Sequence, residues 1–158
     1  MFVSGCTHHC KNCFNQETWD FSYGQPFTEK EEQEIIRSLE PSYIDGLTIL
    51  GGEPMEKVNQ AVLRPFLEKV IKSCPDKTVW IYSGYTWEEL LDRENTRCHG
   101  SDTMRILELT DILVDGRFVD ELKDITLNFR GSSNQRIIDV KRSLESGAPV
   151  ISEFGRDE

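Results

Sequence analysis

The chain has 158 residues, 37% of them hydrophobic and 29% charged, which is enough apolar material for one folded domain and rules out wholesale disorder. Twenty-eight acidic against eighteen basic side chains leave a net charge of −10, and with no basic stripe in view nucleic acid is excluded as a partner. No apolar run reaches the ~18–20 residues of a membrane span, and Met-Phe-Val-Ser-Gly-Cys at the start has neither a basic leader nor the apolar core of a signal peptide, so a cytoplasmic domain without membrane contact is expected.

Taken in chain order, Phe2-Val3-Ser4 reads as the end of a short strand that feeds a cysteine-bearing loop. Thr28 with Glu31 three residues on is a capping-box pattern. The helix it opens is expected to carry Ile35, Ile36 and Leu39 on one face and to stop before Pro41. Leu47-Thr48-Ile49-Leu50 is a buried type of strand ended by Gly51-Gly52. Val58, Val62, Leu63, Phe66, Leu67, Val70 and Ile71 have helical spacing, with Pro65 as a point of division. Thr78 to Tyr82 is a strand ending at Ser83-Gly84, and Thr86 with Glu89 starts a short helix from Trp87 to about Arg93. Asp111 to Val114 is a strand ending at Asp115-Gly116, Arg136 to Val140 is a further strand, and Val150-Ile151 a weaker one. Strands alternating with helices predict an α/β fold with a mainly parallel sheet. Three strands end in glycine turns, and in such sheets ligands gather at the carboxyl ends of strands. One cleft is expected there.

The chemistry is expected in the cysteines. Cys6, Cys10, Cys13, Cys74 and Cys98 are an odd number in a chain without a secretory signal, which argues against a disulfide framework. Three fall in Cys6-Thr7-His8-His9-Cys10-Lys11-Asn12-Cys13, a C-x3-C-x2-C run. Three thiolates on one short loop suit a cubane iron–sulfur cluster and leave it one protein ligand short, so that one iron can bind something else. A structural zinc ion held by the three cysteines and His8 or His9 is the alternative, although zinc ligands more often come as two separated pairs. Spacing alone leaves both standing.

With Phe14 directly after Cys13, this run resembles the cluster loop of the radical S-adenosylmethionine (SAM) enzymes, and Gly51-Gly52-Glu53-Pro54 is similar to their Gly-Gly-Glu motif. The resemblance implies a [4Fe-4S] cluster on Cys6, Cys10 and Cys13, with SAM chelating the open iron. It implies that Gly51, Gly52 and Glu53 meet the methionine amino group, and that Asn12, Cys13 and Phe14 contact the adenosyl part. From Phe2 to about Val140 the chain further resembles the family of activating proteins of the anaerobic ribonucleoside-triphosphate reductase. Phe2-Val3-Ser4-Gly5-Cys6, Thr18-Trp19, Gly24-Gln25-Pro26-Phe27-Thr28, Tyr82-Ser83-Gly84-Tyr85, Val114-Asp115-Gly116-Arg117-Phe118, Leu122-Lys123-Asp124 and Arg130-Gly131-Ser132-Ser133-Asn134-Gln135-Arg136 carry that likeness.

That resemblance implies a single radical SAM domain over residues 1–158, folded as a partial, open (β/α) barrel of five or six parallel strands. Its first strand is shortened, for the family carries further residues ahead of Phe2, and 145–158 extend past the match. It implies reductive cleavage of SAM to methionine and a 5′-deoxyadenosyl radical, with an electron from a low-potential donor such as flavodoxin. The radical then forms a glycyl radical on the reductase. The alternatives are an activase for another glycyl-radical enzyme, of the formate-lyase type, and a non-catalytic iron–sulfur or zinc module.

Outside the motif positions, His8 and His9 are expected beside the cluster rather than on it, and Phe14 either against the adenine or in the core. Cys74 is expected as a small buried hydrophobe, Cys98-His99 as only a weak hint of a second metal, and Trp19, Trp80 and Trp87 as packing. Ser83 and Asp115 are candidates for polar roles on the cleft edge, and Gly131 to Gln135 for a polar turn or a peptide-recognition segment.

Overall fold

The computed structural model describes residues 1–156. Strands β1 (Phe2–Val3), β2 (Gly46–Gly51), β3 (Thr78–Tyr82), β4 (Ile112–Asp115) and β5 (Arg136–Asp139) form one sheet in that spatial order. The first four are parallel, with Phe2 opposite Leu50, Gly46 opposite Thr78 and Trp80 opposite Ile112. β5 runs antiparallel to β4, pairing Leu113 with Ile138. The sheet is open, so the expected run of five or six parallel strands is corrected to four plus one reversed. The reason lies between Asp115 and Arg136, where the chain forms the 3-10 turn Asp120–Leu122, a single bridge between Lys123 and Ser132, and no α-helix. A parallel return needs a crossover that packs on the sheet, usually a helix, and this segment offers none.

Among the described residues five helices punctuate the strands: α1 (Glu29–Leu39), α2 (Lys57–Ser73), α3 (Trp87–Leu91), α4 (Thr103–Glu108) and α5 (Val140–Ser146). Both expected capping boxes form, at Thr28/Glu31 and Thr86/Glu89. α2 runs unbroken through Pro65. A proline inside a helix costs about 3 kcal/mol, whereas α2 buries Leu63, Phe66, Leu67 and Val70, each contributing roughly 1.5–3 kcal/mol. Burial wins. α3 is shorter than expected, ending at Leu91, and the six-residue α4 goes unannounced in the sequence because it offers neither a capping box nor enough turns to show a period.

Side chains alternate across the sheet. Leu47, Ile49, Val79, Ile81, Leu113 and Ile138 join the helices in the main core. The other face carries Trp80, Tyr82, Ile112, Val114 and Ile137. It is covered in part by aromatic side chains from late in the chain: Phe129 and Phe154 each stand 5.3 Å from Trp80. The segment expected as an extension supplies Phe154 to that cover. The weak strand at Val150-Ile151 reduces to one bridge between Ile151 and Ile138, after which the 3-10 turn Glu153–Gly155 sets Phe154 in place. Residues 157–158 of that extension lie outside the described residues.

The carboxyl ends of β1 to β4 lead into Ser4-Gly5-Cys6, Gly51-Gly52-Glu53, Ser83-Gly84 and Gly116-Arg117. The edge expected from the sequence is therefore a single one. At Gly51 the backbone has φ +116, and a Cβ there would stand 2.5 Å from the Val3 carbonyl oxygen. Only glycine allows β1 and the cysteine loop to lie this close to the end of β2.

Candidate metal centre

The cysteine loop is pinned at its base. The Gly5 N–H donates to the Thr18 carbonyl at 2.7 Å, the Cys6 N–H to the Trp19 carbonyl at 3.2 Å, and the Glu53 N–H to the Gly5 carbonyl at 2.8 Å. Cys6 is buried, and Cys10 and Cys13 are partly so. The Cys13 N–H closes a turn onto the Cys10 carbonyl at 3.1 Å. Two residues of the loop take left-handed backbone, His9 at φ 52 and Asn12 at φ 56. Asparagine tolerates this region. His9 is held there by stacking on Trp19, with ring centroids 4.3 Å apart and planes 11° from parallel.

Burial pushes the Cys6 thiol up to about 11. It raises the Cys10 thiol as well, with the neighbouring Cys13 adding to the effect. Those two sulfurs therefore favour the protonated form until a cation offsets the lost hydration. Among the described residues no three Cys, His, Asp or Glu side chains gather as one ion would require. An iron–sulfur cubane makes a different demand, one thiolate on each of several irons. Three cysteines on a single loop, two of them desolvated, fit that donor set.

His8 and Glu53 lock the loop to the sheet edge. Glu53 is 1% exposed, and its carboxylate accepts from the Met55 N–H (2.8 Å), the Ser83 hydroxyl (2.7 Å), the Gly84 N–H (2.6 Å) and His8 Nε2 (2.9 Å). A carboxylate has about four acceptor sites, so all are taken. The other ring nitrogen of His8, Nδ1, accepts from Arg117 Nε at 3.0 Å. An arginine can only donate, which assigns the proton of a neutral His8 to Nε2, facing Glu53. Gly84 abuts the same ring: a Cβ there would sit 2.6 Å from it. With both nitrogens engaged, His8 lies beside the cysteines as expected.

A second buried carboxylate holds the preceding residue. Glu56 Oε1 accepts from the Thr7 N–H at 2.9 Å, from the Thr7 hydroxyl at 2.6 Å and, more loosely, from the buried Tyr85 hydroxyl at 3.4 Å. Arg97 Nη2 donates to Thr7 Oγ1 at 2.8 Å and lies over the Tyr85 ring, 5.6 Å from its centroid. Arg97 arrives on the irregular stretch between α3 and α4. That stretch is anchored where Gln60 Nε2 and the Thr103 hydroxyl both donate to the Cys98 carbonyl, at 2.6 and 3.1 Å.

The outer part of the loop is held differently. Lys11 pairs with Glu121 at 3.1 Å and Asn12 donates to Asp120 at 2.8 Å, all on the surface. Phe14 is 90% exposed, which corrects the core alternative for that ring. Gly51 and Gly52 form the turn next to Gly5, as the sequence suggested, and Ser83 joins the Glu53 network. Asp115 is buried, accepting from the Trp87 N–H at 2.7 Å and from Arg136 at 2.6 and 3.1 Å. Gly131 to Gln135 form a turn whose Gln135 side chain accepts from the Gly131 and Ser132 N–H groups and donates to the Gly116 carbonyl.

Cys74 is buried among core side chains. Cys98 and His99 engage α3: the thiol meets the Glu89 carbonyl at 3.3 Å and His99 Nδ1 the Leu90 carbonyl at 2.7 Å. These are two of the carbonyls that the end of a helix leaves without a partner. Trp87 is core, while Trp19 and Trp80 pack at the rim. Glu56, Arg97, Asp120 and Glu121 had no local signal. Arg117 directly follows the strand-ending Gly116, and that position was its signal.

A family described as a 4Fe-4S single cluster domain matches residues 1–138 of the chain. The anaerobic ribonucleoside-triphosphate reductase-activating protein of Pasteurella multocida (strain Pm70) is 43% identical over 141 residues, which cover 87% of this chain and 84% of that protein. The protein of the same name from Haemophilus influenzae is 42% identical over 139 residues, with the same coverage. That of Escherichia coli (strain K12) is 38% identical over 137 residues, covering 85% and 83%. No solved structure matches the chain.

Proposed function

The chain belongs to the family of anaerobic ribonucleoside-triphosphate reductase-activating proteins, and from that premise we propose that it activates such a reductase as a radical SAM enzyme, in a partial, open (β/α) barrel. The observation that carries the reading is the loop Cys6 to Cys13. It stands at the carboxyl edge of the sheet, against Gly51-Gly52, in a chain whose relatives carry that name.

Cys6, Cys10 and Cys13 are the proposed ligands of a [4Fe-4S] cluster. When bound, the cluster with SAM supplies reductive cleavage of the sulfonium to methionine and a 5′-deoxyadenosyl radical, which leaves a glycyl radical on the reductase. Gly51 and Gly52 offer bare backbone carbonyls to the methionine ammonium. Glu53 joins them by exchanging one of its four present donors, since its acceptor sites are all engaged. Asn12 and Phe14, on the exposed side of the loop, face the adenosyl part. The sheet edge and the buried Glu53 and Glu56 keep water from the inner side of the cluster loop. A low-potential protein such as flavodoxin is the proposed electron donor, and the cytoplasm the proposed setting. Among the described residues no helix is long and apolar enough to cross a membrane.

Anaerobic reconstitution tests the reading. The chain is expected to take up about four irons, and with dithionite and SAM to release 5′-deoxyadenosine. A chain with Cys6, Cys10 and Cys13 all changed to Ala should release none. Mixed with the reductase, the wild-type chain should raise a glycyl doublet in electron paramagnetic resonance. Product no higher than in the cysteine-free control overturns the enzyme. A doublet raised only on a formate-lyase-type partner overturns the choice of reductase.

A further inference from the structure

We propose that Glu56 and Arg97 are positioning residues for the cluster, acting through Thr7 to fix the Cys6–Cys10 part of the loop; this rests on the cluster reading above. Thr7 is not a ligand, but it follows Cys6 directly, and its backbone and side chain are both fixed from outside the loop. The direction of each bond is set by chemistry. Arg97 can only donate, so the Thr7 hydroxyl accepts from it and turns its own proton to Glu56. The same Glu56 oxygen takes the Thr7 N–H. That fixes the peptide leaving Cys6, and with it the direction in which the next cysteines must come.

The supports of this clamp are buried although its surface end is not. Glu56 is 7% exposed, at the entrance to α2, and Tyr85 is fully buried beneath it. Arg97 is exposed, yet the next residue's carbonyl is bound from α2 by Gln60 and from α4 by Thr103, both buried. The stretch between α3 and α4, which the proposed chemistry leaves unused, thereby gains a purpose. It delivers one guanidinium to the cysteine loop from ninety residues away.

Amide exchange in the metal-free protein and spectroscopy of the loaded protein test this separately. In Glu56→Ala the Thr7 amide should exchange about tenfold faster or more, in line with the loss of one hydrogen bond. Arg97→Ala, a surface change that leaves the fold alone, should accelerate it by a smaller factor. Glu56→Gln keeps an oxygen for both Thr7 donors and should stay near the wild-type rate. After reconstitution, Glu56→Ala and Arg97→Ala should alter the resonance of the reduced cluster and lose iron faster than wild type, while Glu56→Gln restores both. Should Glu56→Ala fail to fold, Arg97→Ala carries both readouts. Unchanged exchange, or faster exchange with wild-type resonance and iron retention, overturns the positioning role. A wild-type chain that takes up no cluster overturns the reading of the loop and this role with it.

Discussion

The two halves of the cysteine loop are built on opposite principles. Between Cys6 and Cys10 every intervening side chain is engaged by a partner from elsewhere: Thr7 by Glu56, His8 by Glu53 and His9 by Trp19. Both carboxylates are buried. Between Cys10 and Phe14 the partners are Glu121 and Asp120 on the surface, and Phe14 itself is 90% exposed. A buried acceptor left without its donors is costly, whereas an exposed ion pair is screened and nearly dispensable. The loop is thus rigid where it meets the sheet and adjustable where the proposed ligand and partner approach.

Removing the keystone of the inner half should have the largest effect. Glu53→Ala strands the Ser83 hydroxyl, two backbone N–H groups and the His8 ring. At ~1–3 kcal/mol for each buried group left unpaired, the loss of stability should be ~3 kcal/mol or more, read from the urea midpoint at constant slope. A loss no greater than that of an ordinary surface change breaks the contrast between the halves.

Alkali should act next, again on the inner side. Burial holds the Cys98 thiol up at about 11 and the Tyr85 phenol at about 12. In the unfolded chain they ionise near their ordinary values of 9.0 and 10.0. From about pH 9 upward the unfolded state therefore holds fewer protons than the folded one, and stability falls as pH rises until the folded groups ionise too. Thermal unfolding of the metal-free protein between pH 7 and 11 should show this decline. Cys98→Ala should make the decline shallower without moving its onset, because the buried Cys6 thiol, also held up at about 11, still ionises near 9.0 in the unfolded chain. A profile flat to pH 11 counts against the buried setting of these groups.

The smallest effect belongs to the outer half. Lys11→Ala removes the exposed pair with Glu121, and the unfolding temperature should stay at the wild-type value in both low and high salt. A clear drop that salt abolishes would show the outer half to be electrostatically fixed after all.

Much of this arrangement is legible in the sequence because it is local. The capping pairs Thr28/Glu31 and Thr86/Glu89 place two helix starts, and Gly51-Gly52, Gly84 and Gly116 mark one edge of the sheet. The reversal of β5 is harder to see, although the missing helical period between Gly116 and Gln135 is there to be read. Glu56 and Arg97 cannot be found this way. Their partner Thr7 lies 49 and 90 residues off, and neither a period nor a turn preference records such a meeting. The likeness to radical SAM enzymes points to Glu53 as a partner of the methionine amino group. The donors that already surround it come from tertiary contacts that no local pattern records.

The meeting of Trp80, Phe129 and Phe154 has a consequence for how the molecule is made. A ribosome releases Trp80 well before Phe129 and Phe154, so the side of the sheet that these rings share is bare at first and stays only half covered until Phe154 is out. Until the tail swings across, a nascent chain displays part of a greasy strand surface of the kind chaperones recognise, and a tail clipped before Phe154 would leave Trp80 with Phe129 as its remaining aromatic cover.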